Sequence, residues 1–472
     1  MADFNGKFQY LAAGGVVSQE GACRVHFDRQ TFTLTPESGA PIVCDLGDVD
    51  SIVAADWEIK LPLYTGNAIL LRQFGKAYET LSHDLLESFR QRTLECLLLE
   101  DLEEIARFDG NFELAVAGAP PRSGPAEFRL FKSNLGVLPT ASQGFQWRLA
   151  DVDAVSFDPA TYAVTLRAGP DILKAGKLAK RTEEFASKVK DAINVLATQS
   201  AQALHAAFPF LDPDQLQAAA NILREGRSAP VTKLAAINSK LPAALAANAV
   251  DKDLKPYYDD LLARTAKDAL YAGFKLIRAD DATTDQNGGG ESPEQENATG
   301  TATAASTVGE EDAAPDADAG APETLYWFFF PLAAQAGSAE LANPAQLANP
   351  AQLANIVAWE ASSRSGRATY FFRLLDPSQA GQLRDPARSA AALDGAVRRL
   401  NRVLGMLNFR RRPIYLSDDD LERDPKFHRY AIAARRIPEL REVRAAFLGR
   451  AIHSSHDAWQ TQVAAILAKA GR

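Results

Sequence analysis

Between Gly6 and Ile193 apolar residues alternate with polar or small ones in short runs, and the pattern is written twice. Val25, Phe27, Phe32 and Leu34 recur as Phe128, Leu130, Leu135 and Val137, each pair 103 positions apart. Period two, bounded by turn residues, predicts half-buried antiparallel strands. Each run then changes to a period of four, with Leu81, Leu85 and Phe89 in the first copy and Phe185, Val189 and Ile193 in the second. One apolar stripe at that spacing predicts an amphipathic helix at the end of each unit.

A nearly constant offset separates duplication from coincidence. "GKFQYLAAG" (Gly6–Gly14) lines up with "GNFELAVAG" (Gly110–Gly118), and "DLGDVDSI" (Asp45–Ile52) returns as "RLADVDAV" (Arg148–Val155). Leu46, Val49 and Ile52 thus fall on Leu149, Val152 and Val155, which assigns them to an interior. Asp48 and Asp50 fall on Asp151 and Asp153, where aspartates most simply shape turns at strand ends.

A unit of this length, short antiparallel strands followed by one C-terminal helix, resembles the pleckstrin-homology-like fold, including its GRAM relatives. The resemblance covers roughly residues 4 to 205. It implies an α+β chain with two tandem PH-like bent β-barrels, 1–105 and 106–205, each plugged by its helix. Another small β-barrel or α+β duplication is the alternative. Phosphoinositide-binding members use a lysine in the first strand and an R-x-R or K-x-R signature in the second. Only Lys7 and Arg24 match here, Asn111 stands where the second copy would need its lysine, and Arg122 is the one basic residue in the intervening loops. An anionic head group needs several converging donors, so the family members that bind proteins are the closer analogy.

Beyond the repeats, residues 206–270 show helical periodicity, with Asp212 as N-cap before Pro213 and Gly226 as a stop. "YAGFKLIR" (Tyr271–Arg278) reads as a strand, and 271–279 is expected to join a sheet in the C-terminal module across the segment 280–323. That segment holds 12 of the 60 acidic residues and no Lys or Arg, with little to bury, and is expected to be a disordered linker. The Asn297 sequon within it matches a glycosylation pattern of little weight. The C-terminal module, 324–472, is expected to be α+β with an antiparallel sheet, built on "TLYWFFFPLA", "NIVAWEASS" and "GRATYFFRLLD". Between these runs a proline-containing hexapeptide repeats from Leu341 to Asn355, which argues for a loop or single helical turns. A helix from about Arg388 to Asn408 carries Leu393, Val397, Leu400, Leu404 and Leu407 on one face.

Charge divides the chain. The net value is −9, yet residues 324–472 carry 21 basic and 13 acidic groups. Arg398, Arg399, Arg402, Arg410, Arg411 and Arg412 are therefore the candidate anion-binding residues, able to grip phosphate or carboxylate in bidentate fashion. The competing reading is a solvated face paired with "DDDLERD", or with the acidic linker folded back on it. Ser417 followed by three aspartates reads as a helix N-cap rather than a metal cluster. His453 and His456 could share a metal with Asp457, but no third ligand has a known place, so neither metal nor cofactor is expected. Three cysteines without a C-x-x-C pair exclude a cysteine zinc site and predict buried free thiols.

No nucleotide-binding, nucleophile-elbow or metalloprotease motif occurs. With 46% hydrophobic residues, no leader-like N-terminus and no membrane-length apolar run, a cytoplasmic protein is expected. The expected role is a non-enzymatic intracellular adaptor or scaffold that binds protein partners through the tandem units. An anion-binding protein for nucleic acid or an acidic membrane surface, and an enzyme with no recognisable motif, are the alternatives. Oligomeric state is not written in the chain.

Overall fold

Val25 pairs with Leu34 and Phe27 with Phe32 across neighbouring antiparallel strands, and all four side chains are buried. Phe128 and Val137, and Leu130 and Leu135, repeat that register 103 positions later. The computed structural model describes residues 3–265, 269–277, 323–333, 353–362, 368–373 and 386–470. The predicted linker 280–323, apart from Glu323, lies outside these residues, as do the Asn297 sequon and all but the end of the hexapeptide repeat.

The first sheet contains β1 (Phe4–Leu11), β2 (Val17–Phe27), β3 (Thr31–Pro36), β4 (Ile42–Asp45), β5 (Val53–Ala55), β6 (Glu58–Pro62) and β7 (Ala68–Arg72), in the order β4-β3-β2-β1-β7-β6-β5. The second contains β8 (Glu104–Ala115), β9 (Arg122–Phe131), β10 (Asn134–Pro139), β11 (Phe145–Arg148), β12 (Ala154–Asp158), β13 (Ala163–Ala168) and β14 (Asp171–Gly176), in the corresponding order. Helix α1 (Tyr78–Cys96) follows the first and α2 (Thr182–Ala207) the second. Leu46 and Leu149 are fully buried, each opening a short 3-10 turn.

The expected pair of equivalent bent β-barrels is not what forms. Only the first sheet curls, into a half-barrel, while the second and third are neither curled nor closed. Closure is one way for a sheet to hide its faces, and cover by neighbouring elements is another. The second sheet takes the second route. All six residues of β10 and the last six of β9 are buried, so both faces are shielded from water. Phe128, Leu130 and Val137 point into the unit's own core. Phe131 and Leu138 point outwards and pack with Leu94, Leu97 and Leu99, from the end of α1 and the turn after it, in a core shared with the C-terminal part.

The third sheet runs β15 (Ser228–Pro230), β16 (Tyr271–Ile277), β17 (Glu323–Ala333), β18 (Leu353–Ser362), β19 (Ala368–Arg373) and β20 (Phe447–Ile452), in that order. Tyr271–Ile277 pairs antiparallel with Glu323–Phe329, so the chain segment before the linker enters the sheet that follows it. The continuous apolar run in β17 has a direct cause: Leu325, Trp327 and Phe329 enter one core while Tyr326, Phe328, Phe330 and Leu332 enter another. A strand covered on both faces has no polar side to display.

Helices supply the two covers. On one side are the end of α2, α3 (Pro213–Ile222), α4 (Val231–Ile237), α5 (Leu241–Ala249) and α6 (Lys255–Arg264). Asp212 caps α3 in a reciprocal capping box with Gln215, which satisfies amides left free at that helix end. On the other side are α7 (Pro386–Met406), α8 (Arg412–Tyr415), α9 (Asp418–Arg423), α10 (His428–Arg436) and α11 (Pro438–Ala446). The C-terminal helix α12 (His456–Ala470) joins the first side through Trp459, Val463 and Ile466.

Gly273 on β16 lies directly opposite Trp327, and a Cβ there would sit 2.3 Å from the indole, which is fully buried. Gly273→Ala is therefore expected to lower stability by about 1–3 kcal/mol through overpacking. Chemical denaturation followed by tryptophan fluorescence measures it, and an unchanged midpoint contradicts the packing described.

Candidate functional site

The repeated aspartates do more than shape turns, because in both units they hold arginines that arrive from elsewhere in the chain. In the first, Arg436 of α10 donates to Asp50 Oδ1 at 2.7 Å and to the carbonyl of Val49 at 3.3 Å. Arg435 lies 3.4 Å from Asp48 and also pairs with Glu422 of α9. In the second, Arg227 donates to Asp153 Oδ1 at 2.7 Å, Arg224 to the carbonyl of Val152 at 2.5 Å, and Arg402 of α7 to Asp171 at 3.0 Å with Asp151 at 3.8 Å. The same carboxylate-plus-carbonyl socket thus receives α10 in one copy and the turn after α3 in the other.

One position separates the copies. Asp45 caps its own 3-10 turn and receives a bidentate bond from Arg92 of its own helix, at 2.8 and 2.6 Å. Arg148 stands in its place in the second copy and reaches outwards, donating to Gly226 O at 2.9 Å and Asn401 O at 3.3 Å. Gly226 and Gly405 leave room for it, since a Cβ on either would lie within 2.6 Å of the guanidinium. Asn401 adds a 3.0 Å bond to Gly226 O and accepts from the buried Trp327 indole at 3.2 Å. A charge of one sign locks the first unit internally; the opposite charge ties the second unit to α7 and the third sheet.

Local electrostatics follow this arrangement. Burial works against the ionised Asp153, but Arg227 and the Gly169 amide outweigh it and hold its carboxyl below the ordinary value of 3.8. Burial also disfavours the charged form of Arg402, yet Asp151 and Asp171 together raise its proton affinity. Arg224 is lowered, by burial first and then by the like charge of Arg227.

The six candidate arginines are placed in different surroundings. Arg402 lies in the ion pairs just described, and Arg398 pairs with Asp394 at 2.9 Å beside Gly169. Arg411 is buried over the rings of Trp359 and Tyr370, and Arg412 lies over Phe427. Arg410 is half-buried, and Arg399 alone among the six is exposed. Lys7 and Arg24 sit on the exposed face of β1 and β2, with Arg24 3.9 Å from Asp3, and Arg122 is bonded to Ser142 and Gln143. His453 and His456 face different carboxylates, Glu360 at 3.3 Å and Asp260 at 3.4 Å, with the Tyr257 ring stacked on His453. Among the described residues no group of three His, Cys, Asp or Glu side chains is arranged to hold a metal ion.

Sequence reasoning passed over Arg148, Arg224, Arg227, Arg435 and Arg436. The available signal was charge balance: two copies of an aspartate phrase at the edge of an apolar core require counter-charges, and "REGR" and "ARR" supply them. Where the first unit, the second unit and α10 meet, Asp50, Cys96, Gln143 and Arg436 border a cleft of about 20 Å³, space for one or two water molecules. Cys96 is buried there as a free thiol, and burial pushes it up to about 12.

No family model matches the chain, and no curated protein does. Among solved structures, the N-terminally truncated linker-DH/PH domains of p115-RhoGEF match at 9% identity over 26% of this chain and 47% of that one, with a TM-score of 0.17. The Spt16D Pob3N heterodimer matches at 16% identity over 40% of this chain and 90% of that one, with a TM-score of 0.15. The chain spans about half the length of the first of these, and the likeness to a PH-domain-containing protein is weak and partial. Among the described residues no helix is long and apolar enough to cross a membrane.

A carboxyl held below its ordinary value contributes stability above that value and loses it as the pH falls through the depressed one. Asp153→Asn should accordingly flatten the acid limb of the stability curve below about pH 4. Denaturation midpoints between pH 3 and 7 test this, and an acid limb as steep as that of the parent protein contradicts it.

Proposed function

We propose that this chain is a non-enzymatic intracellular adaptor or scaffold that takes a protein partner on its first unit, whose curled sheet has some PH-like character. The supporting observation is the distribution of uncovered apolar side chains. Among the described residues, six of the twelve large hydrophobic side chains left exposed belong to the first sheet and its turns: Val16, Val17, Val43, Val53, Trp57 and Tyr64. In the second sheet the end of β9 and all of β10 are covered on both faces, and in the third sheet β17 is.

Three of the six share one end of the unit. The hairpin bearing Val16 and Val17 is tied to the turn after Tyr64 by a 3.0 Å bond from the Ala13 amide to Asn67 Oδ1. Val16 is 68% exposed at the tip of a strand pair. Trp57 stands at the opposite end, held by a left-handed backbone (φ 63°) against Tyr78. Apolar groups presented at the turns and edge of a sheet suit a partner with apolar side chains of its own, since binding then removes surface from water.

A second reading, anion binding by the C-terminal module, is favoured by the exposure of Arg399. Affinity capture of the full-length protein from its own cells, with quantitative identification of what is retained, separates the two. The triple variant Val16→Ser, Val17→Ser, Tyr64→Ser is expected to lose a retained protein by about tenfold, the scale of a disrupted interface centre, while Arg399→Glu keeps it. Retention equal in both variants, or lost only with Arg399→Glu and at raised salt, overturns the adaptor reading.

A further inference from the structure

The hairpin joining β5 to β6 turns on two residues, Asp56 and Trp57, between the paired Ala55 and Glu58. Both take a left-handed backbone, at φ 51° and 63°. A two-residue hairpin asks for that geometry at both positions, and Asn-Gly or Asp-Gly ordinarily supplies it, because a bulky side chain is strained there. Here the second position holds an indole that is 63% exposed, so burial in a core does not offset the strain. The other four of the five tryptophans are buried. The second copy repeats the feature: Tyr162, in the loop between β12 and β13, has φ 48° and is 58% exposed. Strain that persists at exposed aromatic positions in both copies points to function rather than to packing.

The surroundings of Trp57 select a cation. Its ring packs against Tyr78 with centroids 5.1 Å apart and planes tilted by 46°, and Tyr78 is seated in the core of the first unit, its hydroxyl donating to the Glu58 carbonyl at 3.3 Å. Asp56 precedes one ring in sequence and Glu79 follows the other. Both are exposed and neither forms an ion pair among the described residues, whereas Glu58 lies 3.7 Å from Arg72. Burial first, and then the charges of Glu79 and Asp56, push the Tyr78 hydroxyl above its ordinary value, so the field of both carboxylates reaches the ring pair. An indole face beside uncompensated negative charge attracts a cation twice, through the ring and through the carboxylates. In the second copy the matching carboxylate is engaged by its own loop, Asp158 accepting from the Ala160 amide at 2.9 Å and the Thr161 hydroxyl at 2.7 Å.

We propose that Trp57, with Asp56 and Glu79 beside it, is a docking point for an arginine side chain of a partner protein. Arginine is the fitting cation, because its planar guanidinium stacks on an aromatic face while its edge donates to a carboxylate, and it gives up water more readily than an ammonium. The same carboxylates repel a nucleic acid or an anionic membrane. The hairpin lies at the far end of β6 from Tyr64, so this site stands whether or not the Val16 and Tyr64 end takes an apolar partner.

Nuclear magnetic resonance of the indole N–H groups in the full-length protein tests the site, since Trp57 is its exposed indole. Titration with an amidated Gly-Arg-Gly-Arg-Gly peptide should shift the Trp57 resonance saturably; the lysine counterpart should bind more weakly and the glutamate counterpart should give no shift. Asp56→Asn combined with Glu79→Gln should weaken the arginine peptide by about fivefold to tenfold, the scale of two exposed ionic contacts. Trp57→Gly, followed through the signals of the peptide itself, should lose the binding, while its denaturation midpoint stays at or above that of the parent, because glycine takes the left-handed turn freely. The Val16→Ser, Val17→Ser, Tyr64→Ser variant should bind the peptide as the parent does, which separates a failure of this site from a failure of the adaptor surface. No saturable shift at Trp57, equal binding of the lysine or glutamate peptide, undiminished binding by the double variant, or a clear drop in the Trp57→Gly midpoint overturns the proposal.

Discussion

The carbonyl of Gly226 is buried between the second unit and the third sheet, and a buried carbonyl must find donors. It finds two, the Arg148 guanidinium and the Asn401 amide, and the surrounding turn extends the same logic. Arg224 donates to Val152, the Glu225 amide donates to the buried Ser200 hydroxyl of α2, the Gly226 amide donates to Phe274 of β16, and Arg227 pairs with Asp153. Four consecutive residues tie the second sheet, α2 and the third sheet together, and through Asn401 they also reach α7. Gly226 can occupy this turn because it tolerates a left-handed backbone (φ 81°) and brings no Cβ against Arg148.

This constraint explains why the molecule is not a row of independent modules. An open second sheet would expose its outer face if it stood alone. Anchored by Arg148 and Arg402, it presents Phe131 and Leu138 to the core formed by α7, α10, α11 and the third sheet. The first unit meets the rest through the end of α1 and through Arg435 and Arg436 of α10, and among the described residues it carries six of the twelve exposed large hydrophobic side chains.

Local pattern conveyed a large part of this. Period-two strands, the helix after each run and the Asp212 and Ser417 caps are all short-range features, set by residues within a turn of one another, whereas the helix expected to stop at Gly226 already ends at Ile222. Sheet closure was not legible, because it depends on what covers a face: Phe131 and Leu138 read as ordinary apolar positions until Leu94, Leu97 and Leu99 are seen against them. The role of the duplicated aspartates was hidden for a related reason. Asp50 and Asp153 look like turn residues, and their partners Arg436 and Arg227 lie 386 and 74 positions away in sequence. The Asp45 to Arg148 difference between the copies stands in the sequence, but its meaning comes from the contacts: Asp45 is held by Arg92 of its own helix, and Arg148 reaches Gly226 and Asn401.

The second unit and the third sheet are thus joined by a shared apolar core and by buried arginine contacts to one turn. Unfolding of Arg148→Met, which keeps the aliphatic stem and removes the guanidinium, tests that most directly when followed by residue-resolved hydrogen exchange through a denaturant series. The account predicts that strands β8–β14 and β16–β19 open together in the parent protein and at separate denaturant concentrations in the variant. A variant that is less stable but still opens both sheets together would contradict it.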